Sequence, residues 1–204
     1  RHKLRQDKSP GKDDMARIHF IYPDINTGSY PGVNHGLASL CAVLRRDGHQ
    51  VSLHHLTAVE SPDQVVAAAE QANADIVGFS FTTNQKQYVA GYSEAIHERL
   101  ATLQIAGGVH PTVAPEDALQ IGRIQGVCIG EGESSLCELL RRMDTKQDIT
   151  HVPGFWWRGP NGDTVRNTVP PLDPHIDAMP SPDYSIFRTD RICSASSGWI
   201  ALML

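Results

Sequence analysis

Asp75-Ile76-Val77-Gly78-Phe79-Ser80-Phe81-Thr82-Thr83 is an apolar run that ends abruptly in hydroxyl residues. It reads as a buried parallel strand handing over to a loop at its carboxyl end. Two later stretches share the form, Gln104-Ile105-Ala106-Gly107-Gly108-Val109-His110-Pro111-Thr112 and Gly126-Val127-Cys128-Ile129-Gly130-Glu131-Gly132-Glu133. Side by side, three such edges make a binding rim. Ligands of open α/β sheets lie outside the carboxyl ends of the strands, and glycine there lets a ligand approach bare backbone. Ser80, Thr82, Gly107, Gly108, Gly130 and Gly132 are therefore the first site candidates.

Outward from this centre, strands and helices alternate. Ile18 to Tyr22 is a first strand closed by Pro23, and a long loop from Asp24 to Asn34 follows it. Leu37, Leu40, Cys41 and Leu44 recur at helical spacing, which predicts a helix from about Asn34 to Asp47 with Gly48 as its stop. Val51 to His54 is the second strand, and Ser61-Pro62-Asp63 opens a second helix with a cap, a proline and an acid in the first turn. Asp75 to Phe81 is the third strand, followed by a helix over Gln85 to Leu103 and a fourth strand over Gln104 to Ala106. A fourth helix is expected over Pro115 to Ile121, a fifth strand over Gly126 to Ile129 and a fifth helix over Glu133 to Met143. Five alternations without an internal repeat imply a doubly wound, flavodoxin-like (Rossmann-like) α/β domain with a five-stranded parallel sheet in the order 2-1-3-4-5.

The two ends differ in character. Residues 1–14 are polar and aperiodic, and read as a leader outside the fold, so the main domain is placed at 15–150. Residues 151–204 hold a β-hairpin around Asn161-Gly162, then Pro170, Pro171, Pro174, Pro180 and Pro182 as an extended connector, and an apolar run from Trp199 to Leu204. Trp156 and Trp157 are adjacent on a strand and face opposite ways, so at most one meets the core.

A formal net charge of -5 and the lack of a Lys/Arg stripe argue against a nucleic-acid partner. Arg45-Arg46 and Arg141-Arg142 fall late in predicted helices, where basic charge suits the helix end. No run approaches the roughly 20 apolar residues of a membrane span. Cys41, Cys128, Cys137 and Cys193 have no C-x-x-C spacing and read as reduced residues of a cytoplasmic protein, without a zinc or iron-sulfur site in this chain.

The loop after the first strand lacks the G-x-G-x-x-G of a dinucleotide fold. Asn26-Thr27-Gly28-Ser29 could in part cradle the phosphate of flavin mononucleotide, which keeps a flavodoxin-like electron carrier open. A cofactor-free docking module using the hairpin and terminal run is the other alternative. Ser80 and Thr82 are equally readable as strand-end hydroxyls capping backbone. Glu131 and Glu133 are paired carboxylates at the rim, but Glu133 suits the positive end of the fifth helix and Glu131 a loop amide or cofactor side chain.

Gly78-Phe79-Ser80-Phe81-Thr82-Thr83, Gly107-Gly108-Val109-His110-Pro111-Thr112 and Gly130-Glu131-Gly132-Glu133, in this order and spacing, resemble the cobalamin-binding (B12-binding) domain that precedes the barrel of cobalamin-dependent radical SAM enzymes. The resemblance runs from about Arg17 to Phe187 and includes the hairpin, Pro171-Leu172 and Pro180-Ser181-Pro182-Asp183-Tyr184. It implies cobalamin as cofactor, with the dimethylbenzimidazole tail threading between the third and fourth strands. Ser80, Thr82 and Thr83 would offer hydroxyls, Gly107, Gly108, Val109 and His110 would border the nucleotide loop, and Gly130, Glu131 and Gly132 would edge the same cleft. Gly28, Ser29 and Tyr30 would cover the cobalt side.

The family's D-x-H-x-x-G motif is not met: asparagine, Asn26, stands at the histidine position and Gly28 comes one place early. His35 or His110 could ligate cobalt, each having a plainer reading as a helix-start residue or structural neighbour; water, no ligand or shielding by Tyr30 are the other options. The family's C-x-x-x-C-x-x-C cluster is absent. The resemblance thus implies a non-catalytic N-terminal piece of a methyltransferase or cyclase whose 4Fe-4S cluster and S-adenosylmethionine belong to a radical SAM domain elsewhere in the parent chain.

Overall fold

The computed structural model describes residues 15–26, 31–159, 161–172 and 176–198. A single seven-stranded sheet has the order β2-β1-β3-β4-β5-β6-β7. Its parallel part is β1 (Arg17–Pro23), β2 (Gln50–Leu56), β3 (Ile76–Ser80), β4 (Leu103–Gly107) and β5 (Gly126–Cys128). This is the predicted flavodoxin-like order. The hairpin β6 (Phe155–Arg158) and β7 (Thr164–Arg166) does not hang off the domain, because β6 pairs antiparallel with β5 and continues the sheet.

Helices α1 (His35–Arg46) and α6 (Glu133–Asp144) cover one face, where Phe20, Leu37, Leu44, Ile105, Leu136, Phe155 and Trp157 form a core. Helices α2 (Pro62–Gln71), α3 (Lys86–Arg99) and α5 (Pro115–Leu119) belong to the other face, with Leu56, Val65, Phe79, Phe81, Ile96, Leu119 and Val127 beneath them. Caps set the helix starts: Asn34 accepts from the Leu37 amide at 3.0 Å, and Ser61 forms a capping box with Gln64. Trp157 is buried and stacks on Phe155, and half-buried Trp156, under the Arg166 guanidinium at 4.9 Å, packs against the core of the other face, so both tryptophans meet core where alternation predicts at most one.

Three more sequence expectations change. The third helix stops at Arg99, because Leu100 turns extended and Leu103 pairs with Ile76 in the sheet. A short helix, α4 (Val109–Val113), occupies the stretch after Gly108 that reads as loop. The connector folds back: the Asp183 amide donates to Ala38 at 2.9 Å, Phe187 is buried, and α7 (Thr189–Ala195) ties Arg191 to Glu60 at 2.9 Å. Residues 1–14 and the run from Trp199 to Leu204 lie outside the described residues. Among the described residues no helix is long and apolar enough to cross a membrane, and all four cysteines are free.

Two predictions follow from packing. A Cβ at Gly126 would sit 2.5 Å from the Trp157 ring. Gly126→Ala is expected to cost about 1–3 kcal/mol in denaturant unfolding by overpacking. His19 is buried, its Nδ1 pairs with Ser52 Oγ at 2.8 Å, and its Nε2 has no partner. Burial, and secondarily the neighbouring His54, push this imidazole from 6.5 down to about 4. The unfolded chain therefore takes up a proton that the fold refuses. The contribution is full above pH 6.5 and falls as pH drops toward about 4, by at most about 3 kcal/mol. Comparing urea midpoints at about pH 7.5 and 4.5 should show a shallower decline in His19→Gln than in the parent chain.

Candidate functional site

The site begins with what is missing from the central strands. Gly78 lies in the middle of β3, and a Cβ there would meet the Phe20 ring at 2.9 Å. Gly78 and Ser80 point to the same face because strand side chains alternate. Ser80 pairs in register with Gly107 on β4. With two of these three positions lacking side chains, α1 and α6 cannot close on the sheet, and a cavity of about 250 Å³ opens between them. Phe20, Leu37, Leu40, Ile105 and Leu136 form its apolar walls; Thr82, Gly107, Gly108, Val109, Gly130, Glu131 and Gly132 also line it.

Gly108 holds φ at +94°, and a Cβ there would stand 3.1 Å from the Phe81 amide nitrogen and from Ser80 Oγ. Gly130 holds φ at +76° and its amide donates to Thr112 Oγ1 at 3.2 Å. Both are backbone shapes that favour glycine. Opposite them, Ser39 Oγ donates to Glu133 Oε1 at 2.7 Å and joins α1 to α6. Glu133 thus sits in the first turn of α6, as its charge suggests. Glu131 is exposed at the rim.

The polar side chains divide into engaged and available ones. Thr82 Oγ1 donates to Gln85 Oε1 at 2.6 Å, and Gln85 Nε2 donates on to the Ile25 carbonyl at 3.0 Å, lacing the β1 loop to the β3 loop. The Ser80 hydroxyl makes no hydrogen bond to protein among the described residues. Cys128 lines the cavity as a thiol, because burial, then the Glu133 and Glu131 charges, push it up to about 12. Tyr22 also lines it; burial above all, together with nearby Asp24, raises its phenol to about 12.

Asp24, at the end of β1, is buried and accepts from the Gly32 amide at 2.7 Å, with His55 Nε2 at 3.2 Å. His55 in turn stacks on Tyr22. Asn26, at φ +57°, donates its amide to Tyr88 Oη at 2.5 Å. Gly28, Ser29 and Tyr30 lie outside the described residues.

Thr83, His35 and His110 are not brought to the cavity. Thr83 lies in a separate shallow groove beside Lys86 and Asp117. Buried His110 points that way, with Nδ1 3.1 Å from Thr83 Oγ1 and Nε2 2.9 Å from Asp117 Oδ2. Both ring nitrogens are thus engaged by protein side chains. The Lys86 ammonium, 2.5 Å away, is the main cause that holds the Asp117 carboxyl below its usual range. His35 Nδ1 meets Tyr184 Oη at 2.7 Å and so anchors the folded-back connector. No cluster of three or more metal-ligating side chains occurs among the described residues.

The sequence reading misses Gly78 as a site residue, and with it Tyr22, Asn34, Leu37, Leu40, Cys128 and Leu136. A glycine inside a buried strand is a legible sign of close approach. Nothing in a helical leucine distinguishes a cavity wall from ordinary core.

Fold and cavity together define a flavodoxin-like cofactor domain, open at the carboxyl edge of β3 and β4. A protein-family model described as the B12 binding domain matches residues 24–140, more than half of the chain, and the chain belongs to that family. The anaerobic magnesium-protoporphyrin IX monomethyl ester cyclase of Synechocystis sp. is 31% identical over 130 residues, 60% of this chain and 26% of that protein. The cobalamin-dependent S-adenosylmethionine radical enzyme OxsB, solved with aqua-cobalamin and S-adenosylmethionine bound, has a TM-score of 0.76 at 19% identity, covering 88% of this chain and 25% of its own. The radical S-adenosylmethionine methyltransferase TsrM from Kitasatospora setae, solved with cobalamin and a 4Fe-4S cluster bound, gives 0.68 at 17% identity over 82% of this chain and 31% of its own. The chain spans about a quarter of the length of the cyclase and of OxsB.

Gly108→Ala places a side chain in a strained conformation against Phe81 and Ser80. It is expected to lower unfolding stability by about 1–3 kcal/mol, read as a shift in denaturant midpoint at constant slope.

Proposed function

We propose that this chain binds cobalamin, its nucleotide tail entering the cavity under α1 and α6 and its corrin lying across the carboxyl ends of β3, β4 and β5. The observation that carries the reading is the cavity floor. A flat tail needs side chains to be absent where it enters, which Gly78 and Gly107 provide, and a polar partner, which the unengaged Ser80 hydroxyl provides. Gly108, Gly130 and Gly132 leave backbone open at the mouth, where the nucleotide loop and corrin side chains would be held. Family membership supports the same cofactor.

Cobalamin when bound supplies a cobalt centre for methyl transfer or radical chemistry, and the residues of this chain bind and orient it. The hydrogen bonds of His35 and His110 speak against either as a cobalt ligand. The names of the relatives support a longer parent, a cobalamin-dependent radical SAM methyltransferase or cyclase. Its 4Fe-4S cluster and S-adenosylmethionine would be held by a second domain in cis. No observation favours flavin mononucleotide: Asn26 is turned to Tyr88, and β6 of the hairpin is paired within the sheet rather than offered to a partner.

Visible-absorption titration with hydroxocobalamin followed by gel filtration should give stoichiometric retention with a base-off spectrum. At a hundredfold excess over the dissociation constant, cofactor should add about 2.7 kcal/mol to unfolding stability. Gly107→Leu, which would fill the cavity floor, should abolish retention while leaving circular dichroism unchanged. Absence of retention and of stabilisation in the parent chain would sink the reading.

A further inference from the structure

We propose that the folded-back connector, residues 183–195, is coupled to the cavity: its docking holds wall residues in place, so a ligand in the cavity fastens the connector, and releasing the connector weakens the ligand. The inference rests on the cobalamin reading above and goes beyond it. Asp183, Tyr184 and Phe187, none of which lines the cavity, become positioning residues for cofactor binding.

Three routes of contact run from cavity-lining residues to this segment. Tyr22 of β1 stacks on His55 with ring centroids 5.0 Å apart, and His55 meets the buried Phe187 ring edge-on at 5.6 Å. Asn34 lines the cavity and caps α1, and the next residue, His35, places Nδ1 2.7 Å from Tyr184 Oη. On α1 itself, Leu37 and Leu40 wall the cavity, while the Ala38 carbonyl accepts from the Asp183 amide at 2.9 Å and Arg45 donates to Asp183 Oδ2 at 2.5 Å.

α1 depends on this outer support because Gly78 and Gly107 leave it little to rest on. The connector, for its part, is built to release before the rest of the fold. Phe187 and Ile192 are its buried apolar anchors, and Arg191 adds a tie to Glu60 at 2.9 Å. α7 has seven residues, too few to persist undocked, and the pair of Asp183 with Arg45 is partly exposed to solvent. Elements held this lightly open ahead of global unfolding. A ligand that fits the arrangement in which Tyr22, Asn34 and α1 surround it therefore favours the docked connector, and linkage makes the effect reciprocal. In the longer parent proposed above, the connector would carry cavity occupancy toward the second domain.

The test is hydrogen exchange across residues 183–195 of the chain, free and saturated with hydroxocobalamin, beside absorbance titrations of variants. Saturation should slow exchange of the α7 amides about fivefold or more. Phe187→Ala combined with Ile192→Ala removes both anchors and should weaken hydroxocobalamin by up to the same factor, a correspondence that a general loss of stability would not produce. Asp183→Ala combined with Tyr184→Phe keeps the anchors and should speed exchange of the free segment about threefold. The exchange measurement on the parent chain decides the matter even where a variant does not fold. Unchanged exchange on saturation overturns the coupling, and so does a folded anchor variant that binds hydroxocobalamin as tightly as the parent chain, or more tightly. Unchanged exchange in the Asp183 and Tyr184 variant overturns their positioning role. If the parent chain retains no hydroxocobalamin at all, it is the cobalamin reading that falls, and the inference with it.

Discussion

The absence of a side chain at Gly78, in the middle of the central strand, is the constraint on which the site depends. Its neighbour across the pleat, Phe20, already fills the space that a Cβ would need. Ser80 and Gly107 extend the same thin floor to the strand ends, so the α1/α6 layer spans a gap instead of resting on side chains. The opposite face has no such defect: Val77, Phe79 and Ala106 pack into a dry core with Val89, Ile96 and Val127. One sheet thus supports a closed layer on one side and an open one on the other. The gap costs packing that a continuous core would recover, which is how a binding site is retained against stability.

Polar contacts hold the rim around that gap. Asp24 gathers the Gly32 amide and His55 at the end of β1, and Gln85 joins the β3 loop to Ile25. His110, tied to Thr83 and Asp117, pins the short helix α4 just beyond Gly108. Asp24, His55, Gln85 and His110 are buried, so each of these bonds satisfies an atom that would otherwise be stranded away from water. The folded-back connector docks on α1 through Asp183 and Arg45, on β2 through Phe187 and His55, and on the loop after β2 through Arg191 and Glu60.

The parallel order and the helix caps were legible because each follows from local rules of period and capping; the tryptophan pair alternates as expected, but the second core covers Trp156 as well, which alternation alone does not tell. The glycine pair and Ser80 were legible as a cavity edge, because small residues at strand ends leave space that larger side chains would fill, and they line the cavity. His110, Thr83 and His35 were not separable from the site by sequence. They stand within a few residues of it in the chain, but side-chain direction sends them to Asp117 and Tyr184. Helix α7 was hidden by the prolines before it, which read as an extended connector.

By itself, then, the sequence determined a doubly wound sheet with a glycine- and hydroxyl-rich carboxyl edge, because strand and helix periodicity and the placement of small residues are written locally. Only the tertiary structure decided which face carries the cavity, that Leu37, Leu40 and Leu136 wall it, and that the Ser80 hydroxyl is left open while that of Thr82 is engaged. Those outcomes depend on which side chains meet across elements far apart in the chain. A leucine at helical spacing is the same letter whether it meets another side chain or an empty floor.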